Sequence, residues 1–337
     1  MIIRPLDFEW SPDYSIFASK NFLQSVSDQY GWIGGYDDSG NLACVLPDII
    51  IKKGPIRLAR FRVETILIKA DLSVDQEKQF LNQMIYYLKE LGVATIIPAS
   101  TNCLFRTFPD GARAAPYGSH IIDLSNDEEA LWNKVHQKHR NVIRSAERKG
   151  VKVEEGSDHM RSAYNLIKET FRRSRMSFMN YEMFKNMILS LGDNVKIMVA
   201  TYEGKCQACA IIPFSHYRAY YMYGGTAIRP ITGSMNYLQW KSIVDLKALG
   251  VKSYDFCGAR IAPDKDSKAA RLIMYKERFG GKLYGGFIWK YSLNPIWSKI
   301  YDIAVRLLRG GDIVDAEHHK LSGFKIDENN QILSVDI

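Results

Sequence analysis

A chain of 337 residues exceeds one small core and leaves room for two domains. Its 46% hydrophobic and 24% charged residues are those of an ordinary soluble globular protein; no run nears the roughly 18 apolar residues of a membrane span, and the start Met1–Trp10 lacks a signal-peptide layout, so a cytoplasmic location is expected. Lysine and arginine outnumber aspartate and glutamate 45 to 37, a net charge of +8 that draws anionic partners without choosing among phosphorylated metabolites, nucleic acid and acidic lipid.

The first predicted elements form a hairpin, Trp32–Tyr36 and Leu42–Leu46 about an Asp37–Gly40 turn. An amphipathic helix follows, ending in Leu88-Lys-Glu-Leu-Gly-Val93 ahead of a β-rich run. The same L-K-x-L-G-V string returns at Leu246–Val251. The second copy is also preceded by a hairpin, Lys196–Tyr202 and Cys206–Phe214 about Glu203-Gly204, and by a strand Arg218–Tyr223. The echo predicts two similar α+β halves, residues 1–124 and 151–293, each a mostly antiparallel sheet packed with helices. The tail 294–337 is expected to pack back on the first half.

Between the halves, residues 125–150 predict one long basic helix. Ser125 is placed as N-cap and Glu128 at N3 of a capping box, and Gly150 ends the helix. Arg140, Arg144 and Arg148 line a face that is either solvated or set against an anionic substrate or RNA backbone. His136 and His139 share a side, but no third ligand accompanies them, so no metal is expected. Cys206 and Cys209 are the one C-x-x-C; an offset of three on a strand puts the sulfurs on opposite faces, against a metal or redox pair. Five cysteines without regular spacing make no disulfide framework. Near the C-terminus, Asn294-Pro295 opens a helix with Ile296, Trp297, Ile300, Tyr301, Ala304, Val305 and Leu308 on one face and Lys299, Arg306 and Arg309 opposite. A basic amphipathic helix of this kind can rest on an acidic membrane surface; packing of the apolar stripe on its own domain is the favoured expectation.

Serine-hydrolase elbows, P-loops, zinc-protease pairs and dinucleotide-binding turns are absent. What remains is Tyr254-Asp-Phe-Cys-Gly258 and, after a polar loop, Tyr275-Lys-Glu-Arg-Phe-Gly-Gly281. Together with the basic helix 131–151 ending in Gly-Val, these stretches resemble the FemABX and FemAB-like branch of the GCN5-related acyltransferase superfamily. Arg175-Met-Ser-Phe178 is a weaker match to that branch's Arg-x-x-Phe. The likeness spans residues 125–290 and names no substrate.

The resemblance implies tandem acyltransferase-like domains, the second bearing the signatures. It also implies aminoacyl-tRNA as donor, an amine of a peptidoglycan or other cell-envelope precursor as acceptor, and no cofactor. It sets Lys276 at the reaction centre beside Tyr275, with Arg175 on the anionic acceptor. A fixed cation suits this chemistry, because aminolysis of an ester passes through an oxyanion. Asp255 could take the amine's proton or be structural, and Tyr254 beside it on the strand, with Tyr275, is expected to contact substrate. A Cys257 nucleophile is not expected, since direct transfer needs no covalent intermediate. The turn with Arg229 and Gly233 stands where acetyl-CoA-dependent relatives bind pyrophosphate, but it lacks their full Gly-x-Gly spacing. The alternatives are an acyl-CoA-dependent N- or O-acyltransferase acting on a polysaccharide or nucleotide-sugar precursor, and a non-catalytic protein that binds RNA or an envelope precursor.

Overall fold

A computed structural model describes residues 1–335; residues 336–337 and the Arg309 side chain lie outside the described residues. The first half runs β1 (Ile2–Leu6), α1 (Lys20–Val26), β2 (Gln29–Tyr36), β3 (Leu42–Lys53), β4 (Ile56–Phe61), β5 (Ile66–Leu67), α2 (Val74–Glu90), β6 (Thr95–Ile96) and β7 (Arg113–Asp123). Then come α3 (Glu128–Lys134), α4 (Gln137–Arg148), β8 (Lys152–Glu155), α5 (Met160–Arg173), α6 (Tyr181–Leu191), β9 (Val195–Tyr202) and β10 (Lys205–Pro213). The chain closes with β11 (Ala219–Tyr220), β12 (Tyr223–Thr226), α7 (Ser234–Ala248), β13 (Ser253–Asp255), α8 (Lys268–Glu277), β14 (Lys282–Ser292), α9 (Pro295–Arg309), α10 (Ile313–Glu317), β15 (Phe324–Ile326) and β16 (Ile332–Val335).

The two halves repeat one topology. In the first, β1, β2, β3 and β4 pair antiparallel, α2 crosses over, and β6 returns parallel to β4. In the second, β8, β9, β10 and β12 pair antiparallel, α7 crosses over, and β13 returns parallel to β11. The shared string makes the same helix end twice. Gly92 and Gly250 take φ of 71° and 76°, and the following valine donates back to Leu88 or to Leu246. That is the left-handed cap glycine supplies without a Cβ penalty.

The halves also trade strands. β14, late in the chain, lies against β6 of the first half, whereas β7 lies against β13 of the second. β7 and β14 pair with each other over nine residue pairs and join the first-half strands to β13 and β11 in a ten-stranded sheet, while β8, β9, β10 and β12 form a separate four-stranded sheet. Neither half is therefore closed by its own residues. A shared core crosses between them, where Phe17, Phe22 and Trp32 pack with Tyr164, Phe184 and Tyr220. The tail packs back on the first half: Ser298 Oγ donates to the Ala94 carbonyl at 3.0 Å, and Arg113 meets Asp315 at 2.7 Å.

Three local expectations are corrected. The basic helix is two helices, and Asp127, not Ser125, caps the first by accepting from Ala130 N at 2.7 Å. It breaks at Val135–His136 because His136 N donates instead to the Arg278 carbonyl at 2.8 Å. This turns His139 inward, buried against Tyr275 and Phe279, so it is no part of a basic face. Burial pushes its pKa down to about 4, with Arg278 adding to the shift. Finally, a bulge between Cys206 and Ala208 inserts one residue, so Cys206 and Cys209 pack on the same cluster rather than on opposite faces. Among the described residues no group of three or more His, Cys, Asp or Glu could hold a metal ion.

Candidate active site

The sheet of the second half parts where β11 gives way to β12. Ala219 and Tyr220 pair with Tyr254 and Asp255, and Tyr221 N donates to the Asp255 carbonyl at 2.8 Å. The chain then leaves β13 and pairs with β10 from Tyr223 to Thr226. β13 meanwhile turns sharply through Cys257 and Gly258, at φ of 49° and 70°. A left-handed cysteine costs about 1–3 kcal/mol and persists only where its surroundings hold it.

Two charged side chains hold this turn. Asp255 is fully buried and accepts from Cys257 N at 2.7 Å and from the Ser119 hydroxyl, with the Arg218 guanidinium at 3.6 Å. Its Oδ2 has no hydrogen-bond partner, but the carboxylate is wholly buried in the fold, which speaks against the general-base reading and for the structural one. Lys276 rises from α8, and its ammonium donates to the carbonyl of Cys257 at 2.8 Å and to that of Gly258. The side chain is only 9% exposed, and burial holds its pKa below the ordinary 10.5 against the opposing pull of Cys257 and Asp255. An ammonium has three N–H donors, so one remains after both carbonyls are satisfied. The Cys257 thiol is pushed well up by burial and then by Asp255, so it is no thiolate at neutral pH. His120 lies beside Lys276, fully buried, its pKa pushed down to about 4 by burial and then by the lysine.

The gap between β12 and β13 is filled. Tyr221, Met235, Tyr254, Phe256, Tyr275 and Phe279 belong to one packed cluster. Tyr254 is wholly buried, with its hydroxyl on Gln239 Oε1 at 2.5 Å, so it is a core residue and not a substrate contact. Tyr275 stacks on His139 and Phe279, and its buried hydroxyl has no partner. Gly224 must be glycine, because a Cβ there would meet the Tyr221 hydroxyl at 1.8 Å.

The turn before α7 is equally tight. Gly233 has φ of 91°, and a Cβ would stand 2.3 Å from the Val142 carbonyl of α4. Ser234 bonds back to the Ile231 carbonyl at 2.8 Å, while Arg229 is exposed on the loop. Gly233 thus lets the start of α7 dock closely on α4.

A cationic lip that sequence reading missed comes from the first half. Arg60 and Arg62, at the end of β4, both bear on Tyr223 of β12, opposing the rise that burial imposes on its hydroxyl. Burial, and then Arg60, pull the Arg62 pKa down to about 10. Arg62 donates to Ser100 Oγ at 3.2 Å, and its buried Nε has no partner. Buried Cys103 lies within electrostatic reach of both arginines and of Cys257, linking the lip to the turn. The available signal was Arg60-Phe61-Arg62, which puts two cations on one strand face.

Of the other candidates, Arg175 is exposed at φ 56° just after α5, close to where Lys268 of α8 donates to Ser174 at 2.7 Å. Its neighbour Arg173 is structural, donating to the Thr226 carbonyl at 2.6 Å. Arg140 leans on Asn133, Arg144 lies over Trp132 and Arg148 is exposed. Arg144 shares a shallow groove with Glu128, Glu129 and Glu147, so part of that basic face is offset by acids.

A cavity of about 440 Å³ is lined by Ser15, Glu64, Thr65, Arg106 and Arg218 among others. Burial raises the Glu64 carboxyl to about 6, against the pull of Arg218.

Residues 111–205 match the model of the FemAB family. No curated protein matches the chain. Among solved structures, the crystal structure of FemX superposes with a TM-score of 0.65 at 15% identity, covering 86% of this chain and 95% of that one. A conserved protein of unknown function from Bacteroides thetaiotaomicron VPI-5482 superposes with a TM-score of 0.51 at 12% identity, over 81% of this chain and 90% of the other. At these identities the likeness establishes the fold: an α+β pair of tandem GCN5-related acyltransferase-like domains.

Proposed function

We propose, from the premise that this chain is a FemAB-like transferase of the GCN5-related acyltransferase superfamily, that it moves an aminoacyl group from aminoacyl-tRNA to an amine of a peptidoglycan or other cell-envelope precursor. The observation that carries this reading is Lys276, an ammonium buried under the turn that ends β13, with one N–H left over. In the reaction the acceptor nitrogen attacks the ester carbonyl and a tetrahedral oxyanion forms. The C–O bond then breaks, the proton lost by the acceptor nitrogen passes to the leaving tRNA oxygen, and a new amide remains. The spare N–H of Lys276 would meet that oxyanion in a water-poor setting, where a fixed charge is worth most. Arg60 and Arg62 beside Tyr223, with exposed Arg175 after α5, supply cations for an anionic acceptor.

The acyl-CoA alternative finds less support. Aromatic rings fill the gap between β12 and β13, and Gly233 sits against the Val142 carbonyl instead of facing a phosphate. The test is product detection by mass spectrometry, with purified chain and an amine-bearing envelope precursor offered either charged tRNA or acyl-CoA. Aminoacylated precursor from charged tRNA alone is expected. Product from acyl-CoA alone would reject the donor assignment, and no product with any donor and precursor would favour the binding-protein alternative.

A further inference from the structure

The helix α9 is turned inside out relative to the packing expected from its sequence. It docks on the body through polar groups: Ser298 is buried with its hydroxyl on the Ala94 carbonyl, and Asp302 pairs with Lys290 at 3.3 Å. Its strongest apolar side chains face outward. Ile296 is 72% exposed, Leu307 80% and Leu308 82%, with Ile300 and Ile303 also exposed. Ile296, Ile300, Ile303 and Leu307 are spaced four, three and four apart, which makes a continuous stripe three turns long on one side of a helix. Among the described residues nothing covers that stripe. The favoured expectation from sequence, burial of the apolar face on the chain's own domain, is therefore corrected for all but Trp297, Tyr301 and Val305.

Charge along the helix is arranged by side. Lys299 and Arg306, seven residues apart, stand exposed together along one flank of the stripe. The one acidic residue of α9, Asp302, is on the body side, and Lys290 also binds Asp312 at 2.9 Å and Asp315 at 2.8 Å. The outward surface therefore joins an apolar ridge to positive charge, on a chain whose net charge is +8.

We propose that α9 is a membrane-surface helix that lays Ile296, Ile300, Ile303 and Leu307 into the interface of an anionic phospholipid bilayer, with Lys299 and Arg306 at the headgroups. Lipid is chosen over a protein partner because the stripe is a convex ridge with basic flanking charge and no acidic residue on its outer side. Such helices lie in the interface plane and gain from both apolar burial and headgroup attraction. No helix among the described residues is long and apolar enough to cross a membrane, so the attachment is peripheral at this site. The inference stands apart from the aminoacyl-transfer reading and uses none of its residues.

The experiment is co-sedimentation of the full chain with vesicles of equal parts phosphatidylglycerol and phosphatidylcholine, and with vesicles of phosphatidylcholine alone. The wild type is expected to pellet with the first and much less with the second, and added salt should release it. Ile300→Asp with Leu307→Asp should abolish pelleting while leaving the thermal midpoint unchanged, since both side chains are already exposed. Lys299→Ala with Arg306→Ala should weaken binding about ten- to thirtyfold. A wild type that stays in the supernatant with anionic vesicles overturns the proposal, as does an aspartate variant that pellets like wild type. So does a lipid-free dimer by light scattering that the aspartate variant breaks, because the stripe would then be an interface between copies of the chain.

Discussion

The two halves share one topology and diverge at one strand. In the first half β4 is continuous and pairs with β3 on one side and β6 on the other. In the second half the matching strand is split, β11 staying with β13 and β12 with β10. A second difference follows immediately in the chain. After β6 no helix intervenes before β7, whereas after β13 the helix α8 delivers Lys276 beneath the parted strands. An intact sheet has its backbone groups satisfied and offers no opening. A parted one exposes strand ends, which must be held by side chains such as Asp255 and Lys276, and charge collects there. The first half adds charge at the same parting, where Arg60 and Arg62 bear on Tyr223 of β12.

The sharpest way to break this contrast is at α8. Lys276→Met is expected to lower turnover about 10²–10³-fold, the usual cost of losing one oxyanion donor. It will also lower stability, because two buried carbonyls lose their donor at about 1–3 kcal/mol each. Calorimetry must therefore fix a temperature at which the variant is fully folded before rates are compared. Because burial lowers the Lys276 pKa, wild-type turnover should fail on the alkaline side with a midpoint below 10.5.

The lip is the next test. Arg60→Gln with Arg62→Gln should raise KM for an anionic acceptor about ten- to hundredfold, with kcat changed little, as expected for charge-assisted hydrogen bonds made equally in ground and transition states. An unchanged KM would detach the first half from the site.

Matched glycines sharpen the comparison further. Gly258→Ala meets the Tyr117 hydroxyl at 2.7 Å and should cost about 1–3 kcal/mol, with turnover lost as the turn shifts. Gly92→Ala and Gly250→Ala, at equivalent helix ends without close neighbours, should each cost about 1 kcal/mol and leave turnover alone. Unequal costs at those two positions would undo the claim that the halves repeat.

A pH-dependent effect concerns His139. Its folded pKa, about 4, lies below the unfolded 6.5, so the unfolded chain gains a proton that the folded chain refuses. Stability from this residue is therefore full above 6.5 and lost as the pH falls toward 4. His139→Phe should gain on the wild type over that window in thermal melts, and a constant difference from pH 7 to pH 4.5 would contradict it.

Much of the fold was legible in local chemistry. Both hairpins, both helix-ending glycines and the strand before Gly258 lie where alternation and turn residues put them. What was hidden depended on distant partners. Nothing in Lys134-Val-His-Gln137 marks a helix break, because the cause is the Arg278 carbonyl. Nothing in Lys205–Pro213 announces a bulge at Gln207. The exchange of β7 and β14 has no local signature, since either strand could have closed its own half. Of the site, Lys276 and Asp255 were identifiable through their motif, but whether a carboxylate faces solvent or Ser119 and Arg218 is a tertiary fact. Tyr254 was misplaced for the same reason: strand alternation gives two faces, and only the helix α7 shows which is core.

The most direct measurement is single-turnover transfer of a radiolabelled amino acid from charged tRNA to an amine-bearing envelope precursor, run in parallel with wild type and folded Lys276→Met. Rapid labelling by the wild type, a rate at least about 10²-fold lower in the variant, and unchanged tRNA binding are expected if the spare N–H of Lys276 meets the oxyanion. Equal rates in the two folded proteins would contradict it and leave Lys276 as a clamp on the Cys257–Gly258 turn.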